Sequence, residues 1–381
     1  MRFFGNYLDK IVSVLILMIL WILVCDVLIE RRIKRKYMPL KEKNGLVLPI
    51  LVMACNELFI KRSIDGLARF RWRPKIFPII VTLDCNSNET QKIIKSYTDS
   101  DPTITYIVVP KLNPGLGRHY KFALNHVFNT LQYNAAIVLD DDLDISPDFY
   151  EYFLATYRLF EKDSSIWCVS AWNDNCKKGL VDKKQVAMLH RTGYFPGKGW
   201  MIQSKTWRDI EPNLPEPFFD ALMNNPANTL GRVCIRPEIS RTFKFGGLVA
   251  RDGKTHDRNF NREQRILNAN FVQFTQHDLS YLLLENEHLF VSFVYSCPEL
   301  TAQDVMTGLD NSSLKYVRIP YSDVTMFREI AKTFGLMDDF NQGLFRTELH
   351  GIVQCFIKGR RVFLAPTRMK DLKPPQNIGR I

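Results

Sequence analysis

The sequence predicts an α/β fold in which a mostly parallel, doubly wound sheet fills residues 46–172. Short apolar runs at 46–55 and 76–84 are too short for helices and are typical of strands buried on both faces. Segments with helical spacing separate these runs, and such alternation favours parallel pairing. The apolar run at 135–139 leads into three aspartates, at the strand end where open α/β sheets place their ligands.

The elements follow in chain order. Strands are predicted at 46–55, 76–84, 103–110, 135–139 and 166–171, and helices at 59–70, 86–97, 118–131 and from about 146 to 162. After Trp172 the sequence changes to loop-like segments, with a tight glycine turn at Pro196–Trp200. From about residue 291 to the end, short strand-like runs separated by turns predict a smaller β-rich portion.

Asp140, Asp141 and Asp142 are the candidate metal site. Like charges about 5 Å apart repel by about 3 kcal/mol at an effective dielectric of about 20, so clustered carboxylates need a proton or a cation. An oxygen-only site suits Mg²⁺ or Mn²⁺ better than zinc or copper. Strand alternation predicts that Asp140 and Asp142 lie on one side of the strand and Asp141 on the other. The alternative is an acidic loop before a helix capped by Ser146.

The charge pattern indicates a membrane rather than a nucleic acid as partner. The net charge is +11, but nearly half of this excess lies in residues 1–45 and no nucleic-acid-binding motif is present. Residues 11–29 are apolar apart from Ser13 and Asp26, close to the roughly 20 residues that cross a bilayer, and no cleavage site follows. We therefore expect a single-span signal anchor at 11–29, between a short tail at 1–10 and a basic stem at 30–45.

Five stretches carry a family resemblance. They are Ile166–Asn175, Phe195–Trp200, Cys234–Thr242, Phe274–Tyr281 and Gly359–Pro366. Their sequences and order resemble the N-acetylglucosaminyltransferase I family (α-1,3-mannosyl-glycoprotein 2-β-N-acetylglucosaminyltransferase). The resemblance implies a GT-A glycosyltransferase fold, Mn²⁺ as cofactor and an inverting reaction. GlcNAc would pass from UDP-GlcNAc in β-1,2 linkage to a mannose-terminated glycoprotein acceptor, the terminal α-1,3-mannose of N-glycans.

The resemblance also implies the location and the domains. The protein would be a type II Golgi membrane protein, with a nucleotide-sugar-binding catalytic domain at 46–290 in the lumen and the β-rich portion at 291–381. The basic residues at 31–36 favour the opposite orientation under the positive-inside rule. Acceptor sequons at Asn88 and Asn311 and the cysteines favour the lumen, which we adopt.

The resemblance assigns seven residues to the reaction. Asp142 would be the metal ligand and Asp220 the catalytic base. The other five would bind the nucleotide sugar: Asp84, His119, Asp140, Asp141 and Thr255. From its position alone, beside an apolar helix face, a lone histidine such as His119 is more often structural.

Two disulfides are also implied. Cys168 would pair with Cys234, and Cys55 with Cys85. The second pair also follows two strand-like runs, so its sulfurs lie side by side if those strands are neighbours. Free cysteines are the alternative. Three cysteines have no assigned partner: Cys176, Cys297 and Cys355.

The sequence departs from the family at positions that bear on activity. Glu57 stands where the family has a phosphate-contacting arginine, and its charge has the wrong sign; Lys198 or Arg118 is a candidate replacement. The tryptophan-flanked aspartate pair around the base is reduced to Phe219-Asp220-Ala221. Two alternatives therefore stay open: transfer to another mannose acceptor such as O-linked mannose, or a catalytically silent, lectin-like homologue.

Overall fold

The structure, a computed structural model, describes residues 45–55, 57–84, 87–110, 116–213, 223–226, 228–246, 265–308 and 314–368. Residues Val47–Ile381 form one compact unit; of the other unit, Met1–Leu46, only the last two residues are described. Within the described ranges, no helix has the length and apolar character needed to cross a membrane. The predicted anchor at 11–29 lies outside those ranges.

The strands and helices of the described ranges alternate through the first half of the chain. The strands are β1 (Ile50–Ala54), β2 (Ile79–Leu83), β3 (Ile104–Val108), β4 (Ala135–Asp140), β5 (Leu143–Ile145), β6 (Ile166–Ser170), β7 (Leu189–Thr192), β8 (Trp200–Gln203), β9 (Val233–Pro237), β10 (Thr242–Lys244), β11 (Tyr316–Tyr321), β12 (Phe340–Asn341), β13 (Leu344–Phe345), β14 (Val353–Ile357) and β15 (Arg360–Pro366). The α-helices are α1 (Glu57–Phe70), α2 (Asn88–Ser100), α3 (Leu116–Asn125), α4 (Phe149–Lys162), α5 (Ser204–Ile210), α6 (Leu284–Ser296), α7 (Ala302–Thr307) and α8 (Val324–Phe334).

The main sheet has eight strands in the order β3-β2-β1-β4-β8-β6-β9-β7. Strand β1 is parallel to β2 and β4, β2 to β3, and β6 to β9. Strand β8 is antiparallel to both β4 and β6, and β7 is antiparallel to β9. Only β7 and β8 therefore run against the other strands of this sheet, which confirms a mostly parallel sheet. The insertion of β8 between β4 and β6 was not predicted.

A side-chain cap explains where α2 begins, but α4 begins without one. Ser87 caps α2, because its hydroxyl oxygen accepts a hydrogen bond from the Thr90 N–H at 3.2 Å. Helix α4 begins at Phe149, and the predicted cap Ser146 instead donates its hydroxyl to the Asp148 carboxylate at 2.6 Å. The prediction of a helix there is confirmed, but the predicted cap is wrong.

The core beneath the main sheet is aromatic, and a disulfide joins two neighbouring strands of the sheet. The rings of Trp167 and Phe195 both pack on Trp200, with centroids 6.1 and 5.1 Å away. Cys168 and Cys234 face each other on β6 and β9 and form a disulfide, the pair that the resemblance implies. Cys55 is also disulfide-bonded, while its predicted partner Cys85 lies outside the described residues.

The remaining cysteines of the described ranges are buried and free: Cys176, Cys297 and Cys355.

The C-terminal portion contains a three-stranded sheet, β11-β15-β14, in agreement with the predicted β-rich character. It also contains helices that were not predicted. Helix α8 starts after Asp323, whose carboxylate accepts from the backbone N–H groups of Thr325 and Met326, and it ends at Gly335 with φ of 76°. Helix α6 extends to Ser296, into the stretch where short strands were expected.

The buried residue Glu348 links the two portions through its backbone carbonyl. Glu348 accepts a hydrogen bond from the Gly351 N–H at 2.5 Å, and the Glu348 carbonyl accepts from the Gly193 N–H at 2.8 Å. Burial raises the pKa of Glu348 to about 7, although the Gly351 N–H and the His350 charge act in the opposite direction.

We expect Glu348→Gln to raise the free energy of unfolding at pH 8 by up to about 3 kcal/mol and to change it little at pH 5. The folded-state pKa lies above the unfolded value of 4.5, so the native state binds more protons between these values and the parent loses stability as pH rises through about 7. A glutamine stays neutral and keeps the acceptor for Gly351. Urea unfolding of both proteins from pH 5 to 8 measures the difference, and parallel pH profiles would contradict the assignment.

Candidate functional site

Neighbouring strands deliver four of the predicted site residues, Asp84 and the acidic triplet, to one edge of the main sheet. Strand β1 lies between β2 and β4. Beyond the strand ends, the Asp84 N–H donates to the Ala54 carbonyl at 3.3 Å, and the Asp141 N–H donates to the Met53 carbonyl at 3.2 Å. Asp84 and the acidic triplet therefore flank the carboxyl end of β1, the edge where open α/β sheets bind ligands.

Two of the three aspartates accept hydrogen bonds from neighbouring elements. The Tyr120 hydroxyl on α3 donates to Asp140 Oδ1 at 2.5 Å. The Cys55 N–H, at the end of β1, donates to Asp141 Oδ2 at 2.8 Å. Hydrogen bonds to carboxylates are among the stronger ones in proteins, so these donors orient both side chains and offset their charge.

Asp142 differs from the other two because its contact is with a cation. Its Oδ2 lies 3.3 Å from the Lys244 ammonium, and its side chain is 15% exposed. Strand β4 ends at Asp140, and residues 141–142 form a turn. The strand alternation from which Asp140 and Asp142 were predicted on the same side therefore does not extend past the end of β4.

Strand β10 explains why Lys244 lies beside Asp142. Strands β5 and β10 pair in antiparallel fashion with Lys244 opposite Leu143, and the Phe245 N–H donates to the Asp142 carbonyl at 2.9 Å. The chain then passes so close that a Cβ at Gly246 would lie 2.5 Å from Asp142 Oδ2. A glycine is therefore required for this close approach.

His119 lies behind Asp84. The histidine is fully buried, and its Nε2 is 2.8 Å from the Thr82 hydroxyl on β2. Its Nδ1 is 3.9 Å from Asp84 Oδ2, longer than a direct hydrogen bond. Two of the five residues predicted to bind the nucleotide sugar are thus brought together, with His119 placed to support Asp84 from the interior.

The predicted glycine turn lies next to the acidic strand, because β8 follows it directly and pairs with β4. Gly197, Lys198 and Gly199 all have left-handed backbones, with φ of 61°, 50° and 88°. The Thr242 hydroxyl donates to the Lys198 carbonyl at 2.6 Å, and a Cβ at Gly199 would lie 2.7 Å from Thr242 Cγ2. Both backbone strain and close packing therefore require glycine at 199.

The Lys198 side chain is directed to an aromatic ring. Its ammonium lies 4.9 Å from the centroid of the Trp172 ring. Burial alone would raise the pKa of the nearby Asp174, but Arg346, Lys198 and Arg265 outweigh it and lower that pKa. The Lys198 charge therefore interacts with the Trp172 ring and with the Asp174 carboxylate.

Asp142 fits a divalent metal by its chemistry. The described part of the chain contains no group of three His, Cys, Asp or Glu side chains that converges on a metal position. A hard cation such as Mn²⁺ takes one or two carboxylates and fills its other positions with substrate phosphates and water. A partly exposed carboxylate that already attracts an ammonium ion suits this arrangement.

Two predicted site residues, Asp220 and Thr255, lie outside the described residues. The sequence reasoning in turn missed several residues that shape the edge: Tyr120, the Cys55 N–H, Lys244 and Gly246. The available signal was that Lys244 lies two residues beyond the motif Cys234–Thr242. That signal does not reveal that Lys244 contacts Asp142, because this contact results from the pairing of β5 with β10.

Solved structures with a similar fold include "GalNAc-T7 with UDP, GalNAc and Mn2+", with a TM-score of 0.41 and 12% identity over 53% of this chain and 44% of that one. Another is "S. aureus TarS 1-349 in complex with UDP-GlcNAc", with a TM-score of 0.36 and 11% identity over 65% of this chain and 66% of that one. These TM-scores are too low to support any argument about the site.

The sequence relatives are more informative. The chain is 30% identical over 337 residues to alpha-1,3-mannosyl-glycoprotein 2-beta-N-acetylglucosaminyltransferase of Arabidopsis thaliana, covering 84% of this chain and 73% of that protein. The sequence pattern of the GNT-I family matches residues 28–376. The chain therefore belongs to the GNT-I family.

Proposed function

We propose that the protein is an inverting β-1,2-N-acetylglucosaminyltransferase that moves GlcNAc from UDP-GlcNAc to the 2-hydroxyl of a terminal α-1,3-mannose on N-glycans. The observation that carries the proposal is the acidic edge: Asp140–Asp142 and Asp84 flank the carboxyl end of β1 in a chain of the GNT-I family. The name of the Arabidopsis relative supports the choice of sugar and acceptor.

The proposed metal is Mn²⁺, with Asp142 as its protein ligand. When bound, the ion supplies Lewis-acid stabilisation of the negative charge on the leaving diphosphate. The partners of Asp140 and Asp141 support a different role for these two carboxylates, because each already accepts a hydrogen bond from the protein. Asp140 and Asp141 would line the nucleotide site without ligating the metal.

The nucleotide would be oriented by Asp84. Its carboxylate is a hydrogen-bond acceptor suited to the N–H of the uracil ring. His119 is buried between Thr82 and Asp84, which supports a positioning role for the histidine. Thr255 completes the proposed nucleotide-sugar set.

The proton transfer is assigned to Asp220. Inversion needs one displacement, in which the bond between the sugar C1 and the phosphate oxygen breaks as the bond from C1 to the mannose O2 forms. The proton of the mannose 2-hydroxyl would pass to the Asp220 carboxylate. No covalent sugar–enzyme intermediate is needed.

We also propose that the protein is held in the Golgi membrane by the span at 11–29, with the catalytic domain at 46–290 and the β-rich portion at 291–381 in the lumen. The Cys168–Cys234 disulfide supports this location, because such bonds persist in oxidising compartments. The sequon at Asn88 adds support, since its side chain is exposed at the start of α2.

The proposal is tested with the purified full-length protein, UDP-GlcNAc and two acceptors: an N-glycan with a terminal α-1,3-mannose and an O-mannosyl peptide. We expect transfer to the N-glycan, with loss of turnover when the metal is chelated and recovery on adding Mn²⁺. Faster transfer to the O-mannosyl peptide would overturn the acceptor assignment. Binding of UDP without transfer to either acceptor would identify a silent homologue, and a protein that binds neither UDP nor Mn²⁺ would overturn the whole proposal.

A further inference from the structure

A lysine that the family resemblance does not assign lies at the proposed metal ligand. The Lys244 ammonium is 3.3 Å from Asp142 Oδ2, and its side chain is 33% exposed. The lysine therefore combines a contact to the metal ligand with access to solvent at the ligand-binding edge of the sheet.

The backbone of Lys244 is firmly placed while its side chain has room to move. Strand pairing fixes the residue opposite Leu143, and the next residue, Phe245, packs edge-on against Phe59 at 5.6 Å between centroids. The Arg62 guanidinium covers the Phe245 ring at 4.1 Å. A lysine on such an anchor swings its ammonium through several ångströms on a flexible four-carbon stem.

A metal on Asp142 would change the position of this ammonium. A divalent cation and an ammonium ion compete for the same carboxylate oxygen and repel each other, so binding of the metal releases Lys244 from Asp142. The diphosphate that arrives with the metal then offers the closest new negative charge. Arg62 is less suited to this role, because it already forms a two-point contact with Asp144, with hydrogen bonds of 2.9 and 2.5 Å.

We infer that Lys244 exchanges the Asp142 carboxylate for the diphosphate of the donor when nucleotide and metal bind, and so supplies the cationic phosphate contact of this site. The inference rests on the proposed function. It explains how the site binds a diphosphate although Glu57, at the start of α1, has the wrong charge for this contact. It assigns the task to Lys244 rather than to Lys198, whose ammonium lies over the Trp172 ring.

The test is calorimetric binding of UDP and uridine to the full-length protein with Mn²⁺, and of Mn²⁺ alone. We expect Lys244→Gln to weaken UDP binding by about 10–100-fold, the usual effect of losing a hydrogen bond between charged groups. Uridine, which lacks phosphate, should bind as in the parent. The affinity for Mn²⁺ without nucleotide should rise, because the competing ammonium is gone from Asp142. Lys244→Arg should recover most of the UDP affinity.

Two further lysine variants are compared with Lys244→Gln. Lys61→Gln removes an exposed charge on α1 that pairs with Asp65, and it should change none of these affinities. Lys198→Gln tests the competing assignment. The inference is overturned if Lys244→Gln binds UDP as the parent does, if it loses UDP and uridine equally, or if Lys198→Gln alone weakens UDP binding. If the parent protein itself binds neither UDP nor Mn²⁺, the proposed function is overturned, and not only the role of Lys244.

Discussion

Glu238→Gln is expected to lower the free energy of unfolding by about 3–5 kcal/mol. Glu238 is 2% exposed and accepts hydrogen bonds through both oxygens. Arg361 donates to Oε1 at 2.9 Å and to Oε2 at 3.1 Å, and His190 Nε2 is 2.7 Å from Oε2. The Asp182 N–H donates to Oε1 at 2.8 Å. A neutral amide would leave the Arg361 charge buried without a counter-charge, which is the costly way to break a buried ion pair.

The position of this network makes the loss global. Glu238 directly follows β9 and His190 lies on β7, both in the main sheet, whereas Arg361 lies on β15 of the three-stranded sheet. Gln354 on β14 adds a contact of 2.9 Å between its Nε2 and His190 Nδ1. Because the network spans the two sheets, it couples their unfolding, and the parent should unfold in one transition rather than lose the C-terminal sheet first.

The contribution should also depend on pH in a defined direction. Burial alone would raise the pKa of Glu238, but His190 and Arg361 outweigh it and hold that pKa below its usual range. The stabilisation is therefore present above the unfolded value of 4.5 and is lost as pH falls below it. In Glu238→Gln this part of the acid sensitivity should disappear.

Equilibrium urea unfolding of parent and variant at pH 7 measures the effect. Asp99→Asn is the matched control, since it removes a carboxylate whose ion pair with Lys95 is exposed on α2. Exposed pairs of this kind contribute little, so the control should unfold at the same urea concentration as the parent. A Glu238→Gln variant that unfolds together with the control would show that the network is dispensable.

The first half of the fold was predictable because each buried strand is one continuous apolar run. Strands β1, β2 and β4 are buried along almost their whole length, so composition alone identifies them. Strand β8 is only four residues long and pairs with strands that precede it in the chain, so no local pattern reveals its place between β4 and β6. Helix α8 shows a different limit: its cap Asp323 and its final Gly335 are local signals that the strand-like neighbours obscured.

The same distinction applies to the candidate site. The acidic triplet is contiguous, and its position at a strand end follows from the pattern of β4. The contacts of its members are not local: Asp140 meets Tyr120 on a helix, and Asp142 meets Lys244 through β5–β10 pairing. The sequence therefore predicted which carboxylates lie at this edge of the sheet, whereas their hydrogen-bonding and charged partners are visible only in the tertiary structure.

Asp142→Ala and Asp220→Asn are expected to abolish transfer for different reasons. The first removes the proposed protein ligand of Mn²⁺ and leaves the Lys244 ammonium without its carboxylate. Turnover should fall by at least about 1,000-fold, a loss of about 4 kcal/mol in transition-state stabilisation, and Mn²⁺ should no longer strengthen UDP binding. The second removes the proposed base, so turnover should fall by about 100–10,000-fold while UDP and Mn²⁺ bind as in the parent.

Comparison of the two variants separates metal binding from proton transfer. Titration of each protein with UDP, with and without Mn²⁺, is run beside the transfer assay. Asp209→Asn is the control, because that aspartate pairs with Arg232 away from the acidic edge and should leave both readouts unchanged. An Asp142→Ala protein that still gains UDP affinity from Mn²⁺ would place the metal on another residue. If Asp220→Asn turns over at the parental rate, a different group must accept the proton of the mannose hydroxyl.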